Sequence, residues 1–188
     1  MRTRYTDYIQ FSVLARDLYY EYSDRIEPFG LDEAWIDLTG CVSSFAQGEK
    51  AVHELCERIK HEPGLTVSIG LADNKIYAKL GSDMKKHDAC TIIPRERFKE
   101  LVWSLPIRDL LYVGRTTEIK LQSKYIETIG DLPKAQPDDL IRWLGKVGLV
   151  LYAFSHGEDQ SQVVSRDFEP PIKSIGNSNT FPCDLMTD

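Results

Sequence analysis

The 188-residue sequence contains no apolar run near the roughly 18 to 20 residues that a membrane span needs, and no positively charged leader followed by an apolar block. The expectation is a cytoplasmic protein without membrane contact. Cysteine is scarce: Cys41, Cys56, Cys90 and Cys183 stand far apart and form no Cys-x-x-Cys pair. Such spacing suggests neither a zinc site nor a disulfide framework, and leaves reduced, mostly buried thiols. Internal repeats and low-complexity tracts are missing as well. So is an excess of basic residues. A net charge of −6 by itself counts against a nucleic-acid partner, because phosphate binding leaves a basic footprint.

What is present is a 42% hydrophobic content, enough at this length to bury a core in one large domain or two small ones. The charge is also segregated. From Lys75 to Lys124 eleven Lys or Arg face six Asp or Glu, a local +5, so the remainder carries −11. This asymmetry fits a basic DNA-facing strip beside an acidic metal-binding region, and it equally fits a solvated charged face.

Phe11, Leu14, Leu18 and Tyr22 recur at helical spacing, predicting an amphipathic helix over residues 6–22 with a structural role. Two short strands follow, Arg25 to Phe29 and Glu33 to Leu38, joined through Gly30-Leu31-Asp32. In the second, Ala34, Ile36 and Leu38 alternate with Glu33, Trp35 and Asp37, which describes a half-buried hairpin with an acidic side. A helix over Gln47 to His61 turns Ala51, Val52, Leu55 and Ile59 inward and ends at Pro63-Gly64. Leu65 to Leu71 alternates as a strand whose second face, Thr66, Ser68 and Gly70, is small enough to admit a close neighbour. A helix from Asn74 to about Lys86 and a strand over Cys90 to Ile93 close an α+β unit of antiparallel character near residue 94. Helices at 95–103, 117–125, 137–143 and 146–156 then form a small all-helical domain. Residues 165–171 read as an extended linker, because Pro170-Pro171 cannot continue a helix.

Two features carry chemistry. Asp32-Glu33 places adjacent carboxylates at a hairpin tip, the oxygen donors that Mg2+ or Mn2+ takes, and two such ions can clamp a phosphoryl transfer. An isolated Asp-Glu pair is more often a solvated acidic turn. At 100° per residue, Lys75, Lys79 and Lys86 fall on one helix stripe with Ser82, able to meet a triphosphate or template phosphates by charge. An exposed basic face gives the same pattern, and both readings stand at this point.

The run Gly30-Leu31-Asp32-Glu33-Ala34-Trp35-Ile36-Asp37-Leu38-Thr39 resembles the palm motif of the Y-family (lesion-bypass) DNA polymerases. Ser68-Ile69-Gly70-Leu71-Ala72-Asp73-Asn74-Lys75, with Ala78-Lys79 and Ser82-Asp83-Met84-Lys85-Lys86, is similar to that family's second signature, and Lys173 to Ser178 to the opening of its little-finger domain. The resemblance implies a partial palm over 1–94 with an antiparallel sheet, a helical thumb over 95–166, a linker over 167–172 and the start of a little finger over 173–188. It implies that Asp32 and Glu33 bind the catalytic metals and that Lys86 contacts the triphosphate of the incoming nucleotide. Lys79 goes with nucleotide binding and Lys75 with DNA binding. Leu111 to Thr117 is similar to the family's helix-hairpin-helix turn, so Gly114, Arg115 and Thr116 are expected at a DNA phosphate, although Tyr112 stands where the family often has a first glycine. His87 stands where proline is usual.

The implied activity is template-directed nucleotidyl transfer past damaged bases on primed template DNA with deoxynucleoside triphosphates, with a sliding clamp met through other regions. The family also needs a third metal-binding aspartate on a palm strand and a fingers domain, neither of which the sequence supplies; Asp7, at the start of an amphipathic helix, is no substitute. A fragment inactive by itself is expected. The alternative is a non-catalytic DNA-binding relative, against which Asp32, Glu33 and Lys86 speak. A nucleotide cyclase would need a Gly-Gly-Asp-Glu-Phe-like turn where this chain has Gly-Leu-Asp-Glu-Ala.

Overall fold

The computed structural model describes residues 3–165, 168 and 174–176. The expected linker and the segment from residue 173 therefore lie almost wholly outside the described residues. α1 spans Tyr5–Tyr20, but only Ala15 and Leu18 of it are buried, while Ile9, Phe11, Val13 and Leu14 are exposed. The predicted inner face thus packs through its C-terminal end alone, where Leu18 joins Leu55 and Ile59 in a small cluster.

β1 (Ile26–Phe29) and β2 (Glu33–Ile36) form the expected antiparallel hairpin, with Ile26 opposite Ile36 and Phe29 opposite Glu33. Gly30 opens its turn at φ 82°, a conformation that costs glycine little. α2 (Phe45–His61) starts where the Ser44 side chain accepts the Gln47 amide, and buries Val52, Leu55, Cys56 and Ile59. Cys56 and Cys90 sit with their sulfurs 3.5 Å apart, both as free thiols, whereas Cys41 is exposed.

β3 (Ser68–Ala72), α3 (Lys75–Met84) and β4 (Ala89–Ile93) form a β-α-β unit in which Ser68 pairs Ala89 and Ala72 pairs Ile93 in parallel. The antiparallel sheet expected for the palm therefore holds for the hairpin and not for this pair. A chain that leaves a strand, crosses back as a helix and re-enters the sheet must run in its original direction. The small face of β3 serves this crossover: a Cβ at Gly70 would lie 1.9 Å from the Ala78 carbonyl oxygen, so α3 rests directly on the strand.

Beyond β4 the described chain is helical: α4 (Phe98–Val102), α5 (Arg115–Gln122), α6 (Pro137–Leu144) and α7 (Lys146–Ser155), with 3-10 turns at Ile107–Asp109 and Ile129–Lys134. The Asp131 side chain caps the second of these turns with Thr128. The main apolar core runs without a break from Ile76, Tyr77, Leu80 and Ile93 into Ile107, Leu121, Leu132, Leu140 and Leu151. The Tyr77 hydroxyl donates to the Phe154 carbonyl at 2.7 Å, tying α3 to the end of α7.

Among the described residues β2 pairs only with β1 and β3 only with β4, so each strand has one edge without a ladder. A cavity of about 970 Å3 is lined by both strands and by α2 and α3.

Candidate active site

Asp32, Glu33, Lys75, Lys79, Ser82 and Lys86 all line that one cavity, brought there by the hairpin turn, the start of β2, the length of α3 and the residues just beyond it. Their charges form a chain. Lys79 Nζ donates to Glu33 Oε1 at 3.0 Å and to Asp83 Oδ2 at 2.6 Å, and Lys86 Nζ donates to Asp83 Oδ1 at 2.5 Å. Burial disfavours the Asp83 carboxylate, but its bonds from Lys79 and Lys86 outweigh that and lower its pKa. Burial likewise disfavours the Lys79 ammonium, and Asp83 and Glu33 together raise it. Both groups are held in their charged forms.

α3 ends at Met84, and Lys85 is already extended, so Lys86 reaches Asp83 from beyond the helix and not from the predicted stripe. Lys75 departs further from expectation. Its ammonium lies 2.7 Å from both oxygens of Glu27, sits 4.5 Å from the Trp35 ring centroid and reaches the Gln162 carbonyl at 3.4 Å. Its side chain is 12% exposed, so its charge is turned to Glu27 and not to solvent. Glu27 also accepts the Val164 amide at 3.2 Å, so this pair clasps the segment after α7 to the hairpin. Trp35 donates its indole N–H to the Lys75 carbonyl at 3.0 Å.

Asp83 is the site residue that sequence reasoning missed. Its signal was present: it stands four residues after Lys79 and three before Lys86, the spacings at which helical side chains meet. Glu27 had no such signal, being 48 residues from Lys75.

Asp32 and Glu33 offer hard oxygen donors of the kind Mg2+ and Mn2+ take. Asp32 is exposed and makes no hydrogen bond or ion pair with the other described residues, whereas Glu33 is already engaged by Lys79. No group of three or more candidate ligands occurs among the described residues. The donor type fits such an ion, and Asp32 and Glu33 are the two carboxylates of this turn that could hold one.

In the helical part, Gly114 precedes α5 with open space around its Cα, and Gly114, Arg115 and Thr116 are all exposed. Tyr112 lies at φ 71°, the left-handed region where glycine is at ease, and stacks on Phe154 with centroids 6.1 Å apart. The turn thus keeps a backbone that suits the glycine it lacks. The basic strip is less free than its composition implied, since Arg97 pairs with Glu100 and Lys124 lies over Trp143.

A cavity with paired carboxylates on a hairpin, a lysine-bearing helix facing them and a helical unit carrying a turn open to solvent define the palm and thumb of a polymerase. Residues 1–83 match the impB/mucB/samB family and residues 108–159 match the thumb domain of DNA polymerase iota. The chain belongs to the Y-family of DNA polymerases.

It is 49% identical over 188 residues to DNA polymerase IV of Acetivibrio thermocellus, covering 100% of this chain and 47% of that protein. It is 40% identical over 181 residues to DNA polymerase IV of Alkaliphilus oremlandii, covering 95% and 45%. Among solved structures it matches DinB from Sulfolobus solfataricus with a TM-score of 0.80 at 25% identity, over 87% of this chain and 48% of that one. An insertion ternary complex of Dbh DNA polymerase matches with a TM-score of 0.80 at 25% identity, over 86% and 47%. The chain thus spans about half the length of the relatives it matches. No helix among the described residues is long and apolar enough to cross a membrane.

Proposed function

We propose that this chain is the palm, over residues 1–94, and the thumb, over 95–166, of a polymerase that performs template-directed nucleotidyl transfer past damaged bases. The reading rests on one arrangement: Asp32 and Glu33 share a cavity with Lys79 and Lys86, the two lysines that Asp83 holds. Asp32 and Glu33 would hold Mg2+, or Mn2+ in its place, together with a further carboxylate. The unladdered edges of β2 and β3 leave room for an additional strand that could carry it. A bound divalent ion supplies positive charge to the reacting phosphate and to the attacking hydroxyl.

The chain's own groups then have distinct tasks. Lys86, the more exposed of the two lysines on Asp83, neutralises charge on the triphosphate as it shifts toward the leaving pyrophosphate. Gly114, Arg115 and Thr116 present backbone N–H groups and a guanidinium to a backbone phosphate of primed template DNA, without reading base edges. The clamp would be met through parts of the protein outside this chain. With two metal carboxylates, the chain by itself is expected not to extend a primer.

Steady-state primer extension by a full-length protein carrying this sequence tests the assignment. Asp32→Ala should abolish extension, and Lys86→Ala should lower kcat/KM for nucleotide at least about tenfold, or roughly 1.4 kcal/mol of transition-state stabilisation. Affinity for primed DNA should stay unchanged in both. Wild-type kinetics for Lys86→Ala would make that lysine surface charge only, and weakened DNA binding with normal turnover would move it to the phosphate backbone.

A further inference from the structure

Lys79 was expected at the nucleotide, yet its ammonium sits on one of the two metal-binding carboxylates. Its Nζ is 3.0 Å from Glu33 Oε1 and 2.6 Å from Asp83 Oδ2, and its side chain is only 16% exposed. A divalent ion on Glu33 would bind its oxygen at roughly 2.1 Å. The ammonium would then stand within a few ångströms of two further positive charges, in a half-buried place where solvent screens them poorly. Sharing the carboxylate sets the ammonium against the charge of the metal, so loading disfavours the bond between Lys79 and Glu33. Asp83 already holds the same ammonium on its other side, so the lysine has somewhere to go without leaving the cavity.

We propose that Lys79 is the resident counter-ion of Glu33, that it competes with the divalent metal for this carboxylate, and that Asp83 is the positioning residue that takes the ammonium over when metal arrives. This rests on the reading of Asp32 and Glu33 as metal ligands. The competition sets how readily the site loads. It keeps Glu33 from standing unpaired before loading, and it makes the Asp83 side chain part of the metal equilibrium although it does not touch the ion.

Mn2+ titration of a full-length protein carrying this sequence, followed by the loss of the free-ion paramagnetic resonance signal, tests the proposal without any turnover. Lys79→Met keeps the aliphatic stem and removes the charge, and should bind Mn2+ at least about fivefold more tightly than wild type; Lys79→Gln serves as a second version should the first not fold by circular dichroism. Lys79→Arg should stay near wild type. Lys85→Met, which removes the same charge from a neighbouring residue without a bond to Glu33, should change affinity less than about twofold. Asp83→Asn should weaken binding in the wild-type background and do markedly less when Lys79 is already Met, because the two act as a unit.

If Glu33→Gln weakens Mn2+ binding while Lys79→Met and Lys79→Gln fail to tighten it, the metal site stands and the counter-ion role falls. An Asp83→Asn effect that is the same with and without Lys79 removes the handover. If no form binds Mn2+, the metal reading and this proposal fall together.

Discussion

His87 and Asp88 carry φ angles of 70° and 58°, and His87 is the position where the resemblance led us to expect proline. Proline is locked near φ −65° and cannot take the backbone observed at position 87. The Asp88 carboxylate pairs with Lys60 of α2, which braces the turn from outside. Restoring the family residue should therefore harm this protein: His87→Pro is expected to cost on the order of 2 kcal/mol, whereas His87→Gly should be neutral or slightly stabilising. Urea midpoints of the two variants check this, and an unharmed His87→Pro would show that the turn can re-form with φ near −65° at this position.

α3 joins nearly every part of the site. Asn74 caps it by accepting the Tyr77 amide at 2.9 Å while donating to the Gly157 carbonyl at 3.1 Å, so one side chain starts the helix and anchors the end of the helical unit. Lys75 follows with its clasp on Glu27, and Lys79 with its bonds to Glu33 and Asp83. The clasp pair is mostly buried, and removing one partner leaves a charge without compensation. Glu27→Ala should cost about 2 kcal/mol, and the double change with Lys75→Met should cost less than that single one. Faster amide hydrogen exchange at Val164 should accompany Glu27→Ala, because its acceptor is lost. Unaltered exchange there would mean that the segment after α7 is held by other contacts.

For the molecule as a whole, acid is the informative stress. Asp37, Asp83 and Asp131 all have pKa values below the ordinary carboxylate range: burial opposes this in each, and hydrogen bonds to the ionised form prevail. A carboxylate depressed in the folded state takes up fewer protons folded than unfolded, so its contribution is complete above the unfolded value of about 3.9 and is lost as pH falls toward the folded one. Stability should hold level from neutral pH to about 4.5 and decline below it. Asp131→Asn should make that decline shallower, since Asp131 accepts from Thr128 and Lys134 and holds the 3-10 turn on which Leu132 is buried. Urea unfolding between pH 3 and 6 measures both curves, and parallel acid limbs would exclude Asp131 as a contributor.

Local features of this protein could be read from the chain alone. Hydrophobic periodicity placed α2, α6 and α7 and the hairpin close to their observed bounds, because burial of one face is written at fixed spacing in the sequence. Ser68 and Gly70 announced a close neighbour on β3, since only small residues allow a helix backbone to rest there. The residue motifs identified the carboxylate pair and the lysine helix that line one cavity. Partners far apart in sequence were not legible. The parallel run of β3 and β4 depends on which way the crossover returns, the Glu27–Lys75 clasp joins residues 48 apart, and the unbroken core crosses the boundary that the pattern of strands and helices drew near residue 94. That the Lys79 ammonium meets Glu33 was likewise visible only in three dimensions, because helical periodicity aims a side chain at a face, and the fold determines what waits there.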